Sequence, residues 1–79
     1  MSEANGVIER WTTPTPNDNE NIPKTDAIHV NVSGDFHFLD NFGNDRTIYL
    51  LAGVDYFYAV KRVFNTGTTA NGIHAGYFA

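Results

Sequence analysis

The sequence predicts an all-β module, a small antiparallel β-sandwich or barrel, preceded by an extended Pro-rich N-terminal arm. Three observations carry this expectation. Short apolar segments alternate with period two from Ala27 onward, turn signals rich in Gly, Asn and Asp recur, and Pro14, Pro16 and Pro23 interrupt a polar run. A chain of 79 residues without cysteine is a single small unit. Such a domain buries only about 60% of the surface its unfolded chain exposes, so contact with other subunits is the expected source of further stability.

The elements follow in order. Residues 1–26 form the expected arm and residues 27–79 the β-module. Within the arm, Thr12 to Asp26 is almost wholly Thr, Pro, Asn, Asp, Glu and Lys, with Ile22 as its one aliphatic residue. The prolines fix φ and remove backbone donors, so the segment runs extended or in turns rather than as a helix. Val7 to Trp11 is a short apolar patch on that arm, and Trp11 is either an anchor for a neighbour or a side chain folded back onto its own module. Ile28, Val30 and Val32 fall on one face of a first strand, with His29 and Asn31 on the other. Ser33-Gly34-Asp35 is a turn signal, from which Phe36 and Phe38 are expected to pair back as a hairpin.

Asp40 to Asp45 is a polar loop. Arg46 to Leu51 is a strand with Ile48 and Leu50 inward, and Tyr56 to Phe64 reads as strand or helix, its aromatic and β-branched content favouring the strand. Asn65 to Gly72 is a turn region, and Ile73, Ala75 and Tyr77 point inward on a last strand running to Ala79. Both faces of the later strands are apolar, since Tyr49 and Leu51 oppose Ile48 and Leu50, and Phe78 opposes Tyr77. A small sheet has one interior, so the second face implies a covered barrel exterior or an interface between copies.

Composition excludes some partners and leaves catalysis without support. A net charge of -4, with Lys61-Arg62 as the one basic pair, argues against nucleic acid, and no apolar run is long enough for a membrane-spanning helix. The start of the chain lacks the basic and apolar regions of a secretory signal. His29, His37 and His74, with Asp35, Asp40, Asp45 and Asp55, match no catalytic spacing. Three imidazoles could hold zinc, but sheet-surface histidines are the favoured reading. Asp40 to Asp45 has Phe42 where a calcium loop needs an oxygen ligand, and Thr66-Gly67-Thr68-Thr69 lacks the lysine of a phosphate loop. No enzyme activity, cofactor or metal is therefore expected.

One run of sequence is more specific. Val60-Lys61-Arg62-Val63-Phe64-Asn65-Thr66-Gly67-Thr68-Thr69-Ala70, followed by the last apolar strand, resembles the end of the spike base proteins of gene transfer agent particles and related tailed-phage heads. Thr15-Pro16-Asn17-Asp18, Ile22-Pro23, Ala27-Ile28-His29-Val30, Gly34-Asp35 and Leu51-Ala52-Gly53 agree with that family in order. The resemblance implies a virion structural protein at the capsid surface, assembled in the host cytoplasm. Its protomer would form a ring, a pentamer ahead of a trimer, between a capsid protein and a spike or fibre protein. It also implies a strand rather than a helix over the fourth segment. On this reading Trp11, Pro14, Pro16 and Ile22 are candidates for subunit or capsid contact, and Tyr56, Tyr58, Tyr77 and Phe78 for contact between copies. Packing in their own core is the alternative for the aromatics. A tail- or fibre-associated structural protein, a carbohydrate-binding module using Trp11 and the tyrosines, and a metal enzyme using the histidines are the competing functions.

Overall fold

The computed structural model describes residues 7–78 as seven strands: β1 (Ile8–Thr12), β2 (Ala27–Val32), β3 (Gly34–Asp40), β4 (Asp45–Leu50), β5 (Asp55–Tyr56), β6 (Val60–Val63) and β7 (Asn71–Phe78). Residues 1–6 of the expected arm, and Ala79 at the end of the expected last strand, lie outside the described residues. The strands form two sheets, β1-β7-β2-β5 and β4-β3-β6, and every neighbouring pair is antiparallel. The fold is all-β, and of the two expected forms it is the sandwich.

Period-two alternation explains the core. Ile28 and Val30 of β2 register with Ala75 and Ile73 of β7, and these four side chains face Phe36 and Phe38 of β3, Leu50 of β4, and Val60 and Val63 of β6. Phe36 is fully buried, and its ring stacks on Phe38 at 5.1 Å. Tyr77 closes one end at 8% exposure, its hydroxyl donating to the Pro23 carbonyl. Val32, expected inward with Ile28 and Val30, is instead exposed, because β2 runs past the end of the core there.

Two expected connections differ. The segments on either side of Ser33 do not pair as a hairpin: β2 lies between β7 and β5, whereas β3 lies between β4 and β6. Gly34 does not take the left-handed conformation that a tight hairpin turn requires, and the chain crosses from one sheet to the other. Gly34 is needed for close approach, since a Cβ there would stand 2.6 Å from the Ala70 amide nitrogen. The hairpin that does form joins β3 to β4. Asp40 Oδ1 accepts the Phe42 and Asn44 amides, and Gly43 takes φ 82° to close the turn.

The fourth segment is two strands rather than one. Tyr56 pairs with Ile28 in the four-stranded sheet while Val60 pairs with Asp40 in the three-stranded sheet, so Phe57 to Ala59 turns the corner between layers.

The Pro-rich segment follows its own module. The amides of Asn17, Ile22 and Thr25 donate to the carbonyls of Val63, Lys61 and Val60, which are on the edge of β6 away from β3. An edge strand is thereby covered by a segment whose prolines have no donors to leave unpaired. Thr25, fully buried, fixes the end of this segment: its hydroxyl donates to the Tyr58 carbonyl and accepts the Val60 amide. Before it, β1, which takes in Ile8 to Trp11 of the expected apolar patch from Val7 to Trp11, is an edge strand of the four-stranded sheet, paired with β7.

Candidate interaction surface

The threonine run and the Asp-bearing stretch of the Pro-rich segment, far apart in sequence, meet in space. Phe64 continues the pairing of β6 with β3 by donating its amide to the His37 carbonyl, and beyond it threonines replace the ladder. The amides of Thr69 and Ala70 donate to the Asp35 carbonyl, and the Thr69 hydroxyl accepts the Asp35 amide. The Thr68 hydroxyl accepts the His37 amide. Gly67, at φ 85°, supplies the reversal that brings these hydroxyls onto the strand. Asp18 then fastens the turn from outside, accepting the Asn65 and Thr66 amides at 2.8 and 2.9 Å and the Thr66 hydroxyl at 2.6 Å. Arg62 adds bonds to the Asn21 side chain and the Asp18 carbonyl. The run therefore acts as a structural clasp, and its chemistry is hydrogen bonding to backbone.

His37 sits inside this clasp. Nδ1 contacts the Thr66 carbonyl and Nε2 contacts Asp45 Oδ1, both at 2.6 Å, and the ring stacks on Phe64 at 4.2 Å. Both partners are acceptors, so only the imidazolium, with two N–H donors, satisfies both. The hydrogen bond to the Thr66 carbonyl, aided by Asp45 and opposed by partial desolvation, raises the His37 pKa above its ordinary 6.5. The Thr66 hydroxyl, with the Thr66 and Asn65 amides, holds the Asp18 carboxyl below its ordinary 3.8.

The signs differ. Stability from a raised histidine pKa is fully present below 6.5 and is lost as pH rises through the folded value. Stability from a depressed carboxylate pKa is present above 3.8 and is lost as pH falls through the folded value. The melting temperature is therefore expected to be highest between these limits. His37→Gln should flatten the alkaline fall, and Asp18→Asn should weaken the acid one, where the lowered Asp40 also contributes. Unchanged pH profiles in both variants would refute this account of the clasp.

The three histidines do not converge. His37 is on β3, while His29 and His74 face each other across β2 and β7 in the other sheet, with ring centroids 5.9 Å apart. No group of three or more His, Cys, Asp or Glu residues placed to hold a metal occurs among the described residues. His29 and His74 instead share the outer face of the four-stranded sheet with Trp11, which lies edge-on to His29 at 6.2 Å. Gly76 makes room for the indole, since a Cβ there would come within 2.9 Å of its ring. Trp11 thus folds back onto its own module while remaining 42% exposed.

The other expected contact residues are dispersed. Ile22 and Tyr56 pack against the core and Tyr77 belongs to it. Phe78 is half-buried beside Phe57, Pro14 and Pro16 are half-buried, and Tyr58 is exposed. Apolar exposure is greatest elsewhere. Phe42, Phe57 and Tyr49 are 87%, 63% and 61% exposed, with Leu51, Val54 and Tyr58 in the same stretch of chain. The apolar outer residues Tyr49 and Leu51 were legible from alternation. Phe42 and Phe57 were not, although a lone Phe at the tip of a polar loop was a usable signal.

The chain is a β-sandwich with a self-satisfied clasp and a set of exposed aromatics. A chain of this fold occurs in the capsid of a GTA particle. The chain matches one in the structure of the capsid of a native GTA particle computed with C5 symmetry, with a TM-score of 0.86 and 25% identity, over 96% of this chain and 90% of that one. That likeness supports a capsid-related, virion structural protein of the gene-transfer-agent or phage kind. No family model and no curated protein matches the chain.

Proposed function

We infer that this chain is a non-enzymatic subunit of a virion, assembling as a symmetric ring on the capsid and serving as the base of a head spike or fibre. The observation that carries the reading is the likeness to a capsid chain over nearly the whole length. The C5 symmetry of that particle structure favours a pentamer over a trimer for this chain. The exposed apolar residues between Phe42 and Tyr58 supply what a ring would bury, and burying them would offset the small size of the core. Of the residues expected to make contacts, Trp11, Pro14, Pro16, Tyr58 and Phe78 keep accessible surface for a partner, whereas Ile22, Tyr56 and Tyr77 act mainly by shaping their own subunit.

Native mass spectrometry of the purified full chain tests the assembly. The expected species is a five-subunit ring, and Phe57→Ser combined with Tyr49→Ser should shift it to monomer without loss of the β spectrum, because both side chains are exposed. A folded monomer at all concentrations that also fails to bind purified capsids would overturn the reading.

A further inference from the structure

The outer face of the four-stranded sheet carries a cleft that the assembly does not explain. Trp11, His29, Asn31, Asp55 and His74 line a hollow of about 310 Å³, within the range of small-ligand sites. A second hollow of about 340 Å³ shares Asn31 and His74 and continues along Thr13 to Pro16. Together they form a groove longer than one small ring.

Its chemistry is specific. The side chains are held in pairs, His29 Nδ1 on Asp55 Oδ1 at 2.8 Å and Asn31 Nδ2 on His74 Nε2 at 3.2 Å. Each pair leaves polar capacity over: His29 Nε2, His74 Nδ1, Asn31 Oδ1 and Asp55 Oδ2 have no partner among the described residues, and neither has the Trp11 indole N–H. Planar donors and acceptors held in fixed orientation beside an exposed indole suit a ligand with an apolar face and a rim of hydroxyls. No Lys or Arg lines either hollow, so a phosphate or an acidic sugar finds no counter-charge. The backbone groups beneath the cleft are engaged in the β2–β7 ladder, so an extended peptide gains no strand pairing on this face.

We propose that the groove from Trp11 to Pro16 binds a neutral oligosaccharide, one sugar ring stacking on Trp11 and its hydroxyls bonding to the His29–Asp55 and Asn31–His74 pairs. The site uses none of the exposed aromatics between Phe42 and Tyr58, but it shares Trp11, Pro14 and Pro16 with the contact residues of the ring reading, so it rests on a ring that leaves this face open.

Titration of the full chain with neutral and acidic oligosaccharides, followed by NMR of the indole N–H and the histidine ring protons, tests it. Neutral sugars at millimolar concentrations should shift the Trp11, His29 and His74 signals together while leaving His37, on the opposite sheet, unmoved. Asn31→Ala, at an exposed position, should preserve the fold and weaken binding at least tenfold, and Trp11→Ala should abolish it. Absence of shifts with every neutral sugar at tens of millimolar, equal shifts with acidic sugars, shifts with an extended peptide alone, or binding undiminished in Asn31→Ala would each overturn the proposal.

Discussion

Phe36→Ala is expected to remove a large fraction of the isolated subunit's stability in water. Phe36 is fully buried at the centre of the three-stranded sheet, opposite Ile48 of β4 and stacked on Phe38. Truncating a buried Phe costs about 3–5 kcal/mol, from lost transfer energy and the cavity left behind. A chain of 79 residues at the usual ~0.05–0.15 kcal/mol per residue has only about 4–12 kcal/mol in total. The loss is thus a large fraction of the whole. In urea the midpoint should fall by about 2–4 M, whereas Phe36→Leu, which keeps most of the volume, should cost less than half as much. Assembly would mask part of the effect by mass action, so the measurement belongs at protein concentrations where the subunit is monomeric. A shift of less than about 0.5 M urea in Phe36→Ala would mean that the two sheets do not depend on this contact.

The alternating strands were legible because each buries one face. Ile28 and Val30, Ile73 and Ala75, and Ile48 and Leu50 all point where period two puts them. What alternation cannot encode is which strand pairs with which. Ser33-Gly34-Asp35 has the composition of a hairpin turn, yet the space beside Gly34 is taken by Thr69 and Ala70, so the glycine serves packing rather than reversal. Likewise Tyr56 to Phe64 has strand composition throughout, and only the separation between the layers requires a corner at Phe57. Non-local geometry decided both cases.

The threonine run shows the same limit. Its distinctiveness in sequence was plain, but its role depends on partners at Asp18, Asp35 and His37 that no local pattern indicates. The pairing of His29 with His74 depends on a register between β2 and β7 across more than half of the chain, which no local pattern encodes. Trp11 stands out in the sequence as the end of an apolar patch on an otherwise polar arm. The reason it stays partly exposed is visible only in the fold: the indole lies over Gly76 on an outer face with no layer above it among the described residues.

Thr25→Val should be the most destabilising isosteric change in the Pro-rich segment. Thr25 is the one buried polar side chain among the described residues, and its hydroxyl bonds the Tyr58 carbonyl at 2.7 Å and the Val60 amide at 3.0 Å. Valine fills the same volume but leaves both groups without that partner. A buried group so orphaned costs about 1–3 kcal/mol. The Tyr58 carbonyl belongs to an exposed residue and can turn to water, whereas Val60 is fully buried, so the expected loss is about 2–3 kcal/mol, most of it from the Val60 amide. Thr25→Ser keeps the hydroxyl and gives up a methyl group, at a cost of about 1 kcal/mol. The order Thr, then Ser, then Val in urea midpoints therefore separates hydrogen bonding from packing, since packing alone would rank Val above Ser. Hydrogen exchange gives the local readout: the Val60 amide should exchange faster in the valine variant, while the Val30 amide in the other sheet changes only with global stability. Loosening Thr25 also frees the segment that covers β6, and an uncovered edge strand invites pairing with other chains. The valine variant should accordingly aggregate at concentrations where the serine variant remains soluble, and a valine variant as stable as the parent would show that the segment is held without this residue.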